Sequence, residues 1–262
     1  MKFGLIGHPI SHSMSPALFR AAYHDSKSTY DLIETSDFKE AMTIFEREYD
    51  AINVTSPFKE LAFEKADESD TITKILGVSN LLIKKREQAD EKEKIFAYNT
   101  DFWAVSQLLR LNIPPGEKPD VMIFGCGGAG KAAALAALNL HLNVYMTNRD
   151  HKKAVEYCKK IGDKASAVPL ESVKIIFNRF GIIIYTLPTK IDIIDQLDFK
   201  GKIILEANYK NPVFSPCSSE DNKYGTIYLS GKKWLIEQAI TGFNLMTHIY
   251  PNEESMKSIL TE

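Results

Sequence analysis

A chain of 262 residues is long enough for two small domains or one large one, each with a core of its own. Apolar residues make up 44%, charged residues 25% and the formal net charge is −2, so a disordered chain is excluded and no general field draws nucleic acid or an anionic membrane. No apolar run reaches membrane-spanning length, no basic-then-apolar leader opens the chain, and Cys126, Cys158 and Cys217 form neither a disulfide framework nor a metal-ligand pattern, so a cytoplasmic, metal-free protein is expected.

Residues 2–6 read as a short strand that stops at Gly7. In the following Gly7-His8-Pro9-Ile10-Ser11-His12-Ser13-Met14-Ser15-Pro16, the proline suits the first turn of a helix over 17–23, which places Ser15 as its N-cap. Ser13 and Ser15 have two readings, as caps or as hydroxyl donors to a carboxylate beside a helix N-terminus. Residues 30–34 read as a strand, 38–48 as an amphipathic helix and 51–54 as another strand, a βαβαβ run that predicts parallel pairing. The third strand ends in Asn53-Val54-Thr55-Ser56-Pro57-Phe58-Lys59. Asn53, Thr55 and Lys59 thus stand at the carboxyl end of a parallel strand, where open α/β sheets bind ligands. Taken alone, Lys59 reads first as a surface lysine at a helix start, although a cation is unfavourable there and such misplacement can mark a site.

Gly77-Val78-Ser79-Asn80 leads into a strand over 81–85, a charged stretch over 88–94 expected as a hairpin tip, and a strand over 95–98. Asn99-Thr100-Asp101 follows, with Asp101 placed to cap a helix over 102–111. Pro114-Pro115-Gly116 is a turn and a candidate domain border.

The apolar run Val121-Met122-Ile123-Phe124 enters Gly125-Cys126-Gly127-Gly128-Ala129-Gly130-Lys131, and an alanine-rich stretch over 132–140 leaves it. Strand, glycine turn and helix fit the dinucleotide fingerprint, with Gly125 for the tight turn, Gly127 for approach of a pyrophosphate and Gly130 for helix–strand packing. The alternative is a glycine turn in an ordinary βαβ unit. A strand over 143–147 ends at Asn148-Arg149, followed by Lys152 and Lys153. Cations rather than an acid at that strand end suit a ribose 2′-phosphate, which favours NADP over NAD. Further along come a helix over 151–161, a strand over 181–186 ending at Leu187-Pro188-Thr189, and a strand over 202–207 followed by Asn208-Tyr209. Ser230-Gly231 and Trp234-Leu235-Ile236-Glu237-Gln238-Ala239 then open a last long helix over 234–250.

His12-Ser13-Met14-Ser15-Pro16, Asn53-Val54-Thr55-Ser56-Pro57-Phe58-Lys59, Asn99-Thr100-Asp101 and the glycine loop with Asn148-Arg149 stand in the order and spacing of the shikimate dehydrogenase family, which the chain resembles over nearly its whole length. That resemblance implies an α/β fold of two domains. One is an N-terminal mixed/parallel-sheet substrate domain over 1–100 plus 236–262, the other a Rossmann-type NADP-binding domain over 101–235. It implies NADP-dependent, reversible reduction of 3-dehydroshikimate to shikimate in aromatic amino acid (chorismate) biosynthesis. Lys59 would be the acid–base residue, paired with Asp101. Ser13, Ser15, Thr55, Asn80, Tyr209 and Gln238 would hold the substrate. Gly125, Gly127, Gly128, Ala129, Gly130, Asn148, Arg149, Lys153, Thr186, Pro188 and Gly231 would hold the cofactor. No nucleic acid or membrane partner is implied, and the protein would be a monomer or a homodimer.

Three departures from the family pattern stand out: Glu206 in place of an aspartate, Trp234 where a methionine near the nicotinamide is common, and Asp150 in place of the threonine after Asn148-Arg149. The last adds a negative charge near the expected phosphate. A quinate or dual quinate/shikimate dehydrogenase is the nearest alternative enzyme. A non-catalytic nucleotide-sensing module on the same scaffold is the alternative of another class, and it would have no need of both Lys59 and Asp101.

Overall fold

The computed structural model describes residues 1–24, 27–86, 93–214 and 225–260. Cys217 and most of the charged stretch over 88–94 lie outside them. The chain divides into two compact units, Met1–Thr100 with Gln238–Glu262, and Asp101–Glu237.

The first unit runs β1 (Lys2–Gly7), α1 (Ser15–Ala22), β2 (Thr29–Glu34), α2 (Phe38–Glu48), β3 (Ala51–Val54), α3 (Lys59–Lys65), β4 (Glu68–Ser69), α4 (Thr71–Leu76), β5 (Leu81–Arg86) and β6 (Glu93–Tyr98). Its strands form one sheet in the order β2-β1-β3-β5-β6-β4. β1 pairs in parallel with β2 and β3. The hairpin of β5 and β6 then joins β3 antiparallel and makes the sheet mixed. α2 shows why the amphipathic pattern was readable. Asp37 caps it by accepting from the N–H groups of Lys39 (2.8 Å) and Glu40 (3.4 Å). Ala41, Met42 and Phe45 fall on one face and pack with Ile6, Ile33 and Ile52 of the sheet.

The second unit opens with most of α5 (Thr100–Asn112) and continues through β7 (Asp120–Phe124), α6 (Gly128–Asn139), β8 (Val144–Thr147), α7 (His151–Ile161), β9 (Ala165–Ala167), α8 (Val173–Ile176), β10 (Phe180–Tyr185), β11 (Ile203–Glu206) and β12 (Ile227–Leu229). Its sheet has the order β12-β11-β10-β7-β8-β9, with every pair parallel. This is the doubly wound dinucleotide-binding order, with the reversal between β7 and β10. β7 and β10 read as unbroken apolar runs because helices cover both faces of such a sheet: Val121 to Phe124 and Ile182 to Tyr185 are all fully buried.

The last two helices are α9 (Gly231–Thr247) and α10 (Glu253–Ile259). The division between units falls inside α9, at Gln238. Within the first unit, Phe243 of α9 meets Phe19 edge-on at 5.2 Å between centroids and Tyr30 at 5.7 Å, so the C-terminus closes the core begun by β1 and α1.

Candidate active site

In the first unit the chain crosses from β1 to β2 and then back over β1 to β3, so the strand order reverses at the β1/β3 edge. Loops at the carboxyl ends of those two strands carry Ser13, Ser15, Thr55 and Lys59. Gly7 permits their meeting: a Cβ there would stand 2.4 Å from Thr55 Cγ2 and 3.0 Å from the Ser56 carbonyl oxygen. The His8 N–H donates to that carbonyl at 3.1 Å and ties the two loops together. Thr55 is anchored at both ends, its N–H donating to Ile6 O (3.0 Å) and its carbonyl accepting from Phe58 N–H (3.0 Å). Half-buried Lys59 is the first residue of α3, and its carbonyl accepts from Ser79 N–H at 2.9 Å.

The expectation that Ser15 caps α1 is corrected. Met14 holds the cap position and makes no side-chain cap, while Ser15 is the first helical residue. Its N–H donates to Ser13 Oγ at 3.2 Å, and the two hydroxyls are 3.2 Å apart. Pro16 supplies no N–H, so the turn before it does the capping.

A second group lies at the ends of β3, β5 and β6. Asn80 is buried and accepts the Thr100 N–H on Oδ1 at 2.7 Å. Its Nδ2 donates to Thr100 Oγ1 at 2.9 Å and to Gln238 Oε1 at 3.5 Å, and Thr100 Oγ1 donates to the same Gln238 oxygen at 3.2 Å. Asn80 and Gln238, 158 positions apart, are thus in contact through one amide network. Asn53 frames it from β3, donating to Asn80 O at 3.2 Å and accepting the Tyr30 phenol at 2.8 Å. Burial pushes the Tyr30 phenol well above its ordinary range, while a hydrogen bond from Ser15 pulls the other way, so it serves here as a neutral donor. Thr100 and Tyr30 had not been singled out from the sequence. Thr100 stood inside a quoted motif, whereas nothing local marks Tyr30.

In the second unit Asp101 does not cap α5, whose helix already starts at Thr100. It lies buried in the first turn, and its Oδ1 accepts the Trp234 indole N–H at 3.0 Å. The glycine loop follows β7. Gly125 has φ of +108°, and a Cβ there would stand 2.5 Å from Thr186 Oγ1. Gly127 caps α6 without a side-chain hydrogen bond, and a Cβ there would meet nothing within 4 Å. Gly128 and Ala129 are half-buried in the first turn, and Gly130 is buried against the Gly125 carbonyl. Thr186 at the end of β10 donates to Phe124 O at 2.9 Å and so lies across the reversal of strand order.

Asn148 Oδ1 accepts the Cys126 N–H at 3.2 Å, which fastens the β8 end to the glycine loop. Arg149, Lys152 and Lys153 are exposed beside it. Asp150 is the N-cap of α7, its Oδ1 accepting the Lys153 N–H at 3.3 Å. Its charge is therefore turned to a helix start, which answers the concern its sequence position raised. Buried Thr147 Oγ1 and His151 Nδ1 have no hydrogen-bond partner among the described residues. Gly231 is a close-packing glycine: a Cβ would fall 2.5 Å from the Asn208 carbonyl carbon and 2.6 Å from Tyr209 N. Asn208 Nδ2 donates to the carbonyl of exposed Pro188 at 3.1 Å, so Pro188, half-buried Tyr209 and Gly231 share one patch of backbone. Fully buried Glu206 accepts the N–H groups of Val213 (2.6 Å) and Phe214 (3.3 Å) and the Tyr228 hydroxyl (2.8 Å), which holds the loop beyond Tyr209.

Residues 5–82 match the family model of the shikimate dehydrogenase substrate binding domain. Shikimate dehydrogenase (NADP(+)) of Methanocaldococcus jannaschii is 27% identical over 276 residues, covering 99% of this chain and 95% of the relative. The crystal structure of shikimate 5-dehydrogenase from Thermus thermophilus in complex with NADP(H) and shikimate superposes with a TM-score of 0.80 at 24% identity, over 100% of this chain and 98% of that one. Quinate dehydrogenase from Corynebacterium glutamicum in complex with NAD superposes with a TM-score of 0.83 at 20% identity, over 100% and 99%. At those identities the structural likeness is one of fold, and the chain is similar to shikimate dehydrogenases over nearly its whole length, with residues 5–82 matching the substrate binding domain of that family.

Proposed function

We propose that this chain catalyses the NADP-dependent, reversible reduction of 3-dehydroshikimate to shikimate in aromatic amino acid (chorismate) biosynthesis. The observation that carries the proposal is Lys59. It stands at the start of α3, at the carboxyl end of β3 beside a strand-order reversal, within the stretch that matches a substrate-binding domain. The relative from Methanocaldococcus jannaschii, similar end to end, is a shikimate dehydrogenase that uses NADP(+).

The substrate domain is assigned to 1–100 plus 236–262 and the NADP domain to 101–235. Ser13 and Ser15 offer paired hydroxyls to a ring carboxylate. Thr55, Asn80, Tyr209 and Gln238 offer donors and acceptors to the ring hydroxyls. Lys59 passes a proton to the keto oxygen during reduction and takes the hydroxyl proton back during oxidation. Asp101 anchors the hydroxyl that reacts. The glycine loop fits a dinucleotide: α6 has no side-chain cap, its first N–H groups have no acceptor within the helix, and Gly127 faces open space. When bound, the nicotinamide supplies the hydride in one direction and accepts it in the other. Asn148 holds the loop, Arg149 and Lys153 meet the 2′-phosphate, and Thr186, Pro188 and Gly231 shape the wall beyond it. The setting is cytoplasmic and the protein a monomer or homodimer; among the described residues no helix is long and apolar enough to cross a membrane.

The test is turnover with shikimate and quinate, each with NADP and NAD. Shikimate with NADP should give the highest kcat/KM. Lys59→Ala should keep its NADP affinity and lose about a hundredfold or more in kcat. Preference for quinate with NAD would transfer the assignment to that alternative, and wild-type kcat in Lys59→Ala would remove the lysine from the chemistry.

A further inference from the structure

We infer that Trp234 is a positioning residue for Asp101, orienting its carboxylate through the indole N–H; this rests on the reading of Asp101 as an active-site anchor. Both side chains are buried, at 4% and 6% exposure, and the Nε1–Oδ1 distance of 3.0 Å is that of a well-formed hydrogen bond. An indole N–H donates and cannot accept. It therefore commits Oδ1 as an acceptor and fixes the direction from which that oxygen is held.

The indole is itself rigidly delivered. Trp234 stands in the first turn of α9, where its N–H and that of Lys233 donate to Ser230 O at 3.3 and 2.9 Å. The start of that helix is pressed onto the Asn208–Tyr209 backbone at Gly231, with room for a hydrogen but not a methyl group. Asp101 in turn sits in the first turn of a thirteen-residue helix. Two helix starts, 133 positions apart, are thereby joined through one N–H···O bond at a group assigned to the chemistry. A methionine at this position would carry no N–H, so this chain has a positioning device that an apolar side chain there cannot supply.

The test compares wild type, Trp234→Phe, Asp101→Asn and the double variant in shikimate oxidation with NADP. Trp234→Phe removes the donor and keeps an aromatic ring, and kcat should fall roughly tenfold or more as the carboxylate loses its orientation. KM for NADP should stay within about twofold, because a group acting in the chemical step moves kcat rather than cofactor binding. The double variant should be no worse than Asp101→Asn, since the two residues act as one unit. If Trp234→Phe does not fold, Trp234→benzothienylalanine, with sulfur in place of the N–H, keeps the shape and should show the same loss. Nuclear magnetic resonance of the two indole N–H groups gives a readout apart from activity. In Asp101→Asn the buried Trp234 signal should move upfield while that of half-exposed Trp103 stays. Wild-type kcat in the donor-free variants, or losses that add in the double variant, would overturn the inference. Wild-type kcat in Asp101→Asn would instead overturn the reading of Asp101 itself.

Discussion

A methyl group at Gly130 would come within 2.2 Å of the Gly125 carbonyl oxygen and 3.2 Å of Thr186 Oγ1, and the carbonyl is part of a backbone that cannot step aside. A methyl group at Gly127 would meet no protein atom within 4 Å. The two glycines look alike in the sequence, yet they answer to different neighbours. Gly130→Ala should cost about 1–3 kcal/mol of stability by overpacking and lose NADP binding with it. Gly127→Ala should unfold at the wild-type urea concentration while binding NADP more weakly, because its Cβ enters space assigned to the phosphates. Urea titration with an NADP binding isotherm on both variants checks this; equal destabilisation by both would show that Gly127 too is a packing glycine. The glycine spacing was legible because a three-glycine turn leaves a local mark. Which glycine packs and which faces open space depends on how the turn folds the Gly125 carbonyl over Gly130, with Thr186 Oγ1 behind it.

At the scale of elements, α7 carries a similar lesson. Read as a sequence, Asp150 is a negative charge beside Arg149 that opposes a phosphate. In the fold it is the N-cap of an eleven-residue helix. Asp150→Ala should destabilise the protein by about 1 kcal/mol, whereas Asp150→Ser should retain most of the cap. Urea unfolding at neutral pH measures both, and an alanine variant as stable as wild type would show that the cap contributes nothing. Elements with a strong periodic pattern and an acidic cap, such as α2 and α7, were readable residue for residue. The two-residue strand β4 and the short helix α4 were not, and of α3 only its start at Lys59 was, since so few residues carry no period to detect. The sequence places the start of the last helix at Trp234, whereas α9 begins three residues earlier, at Gly231. Tertiary contact with Asn208 and Tyr209 makes glycine the residue that fits there.

The whole molecule comprises two units with separate sheets, each assigned a different ligand. Hydrogen exchange should therefore respond in two blocks. NADP at a hundredfold its Kd stabilises the state that binds it by about 2.7 kcal/mol, and its protection should be concentrated in Asp101–Glu237. Shikimate alone should chiefly protect Met1–Thr100 and Gln238–Glu262. Exchange measured by mass spectrometry with each ligand separately distinguishes the blocks, and NADP protection centred on β1 to β3 would reverse the assignment.

The sequence by itself determined the class of fold, the glycine loop, the carboxyl-end placement of Lys59 and the family likeness. All of these are carried by short motifs and by local periodicity, which act within a turn or a strand. Only the tertiary structure decided what each motif touches. It linked Asn80 to Gln238 through Thr100, turned Asp150 onto a helix start, moved the α1 cap from Ser15 to the preceding turn, and joined Trp234 to Asp101. Those outcomes depend on which strand ends and helix starts lie side by side. That proximity is fixed by burial of the two sheets and by the close approach glycines allow, and no window of neighbouring residues contains it.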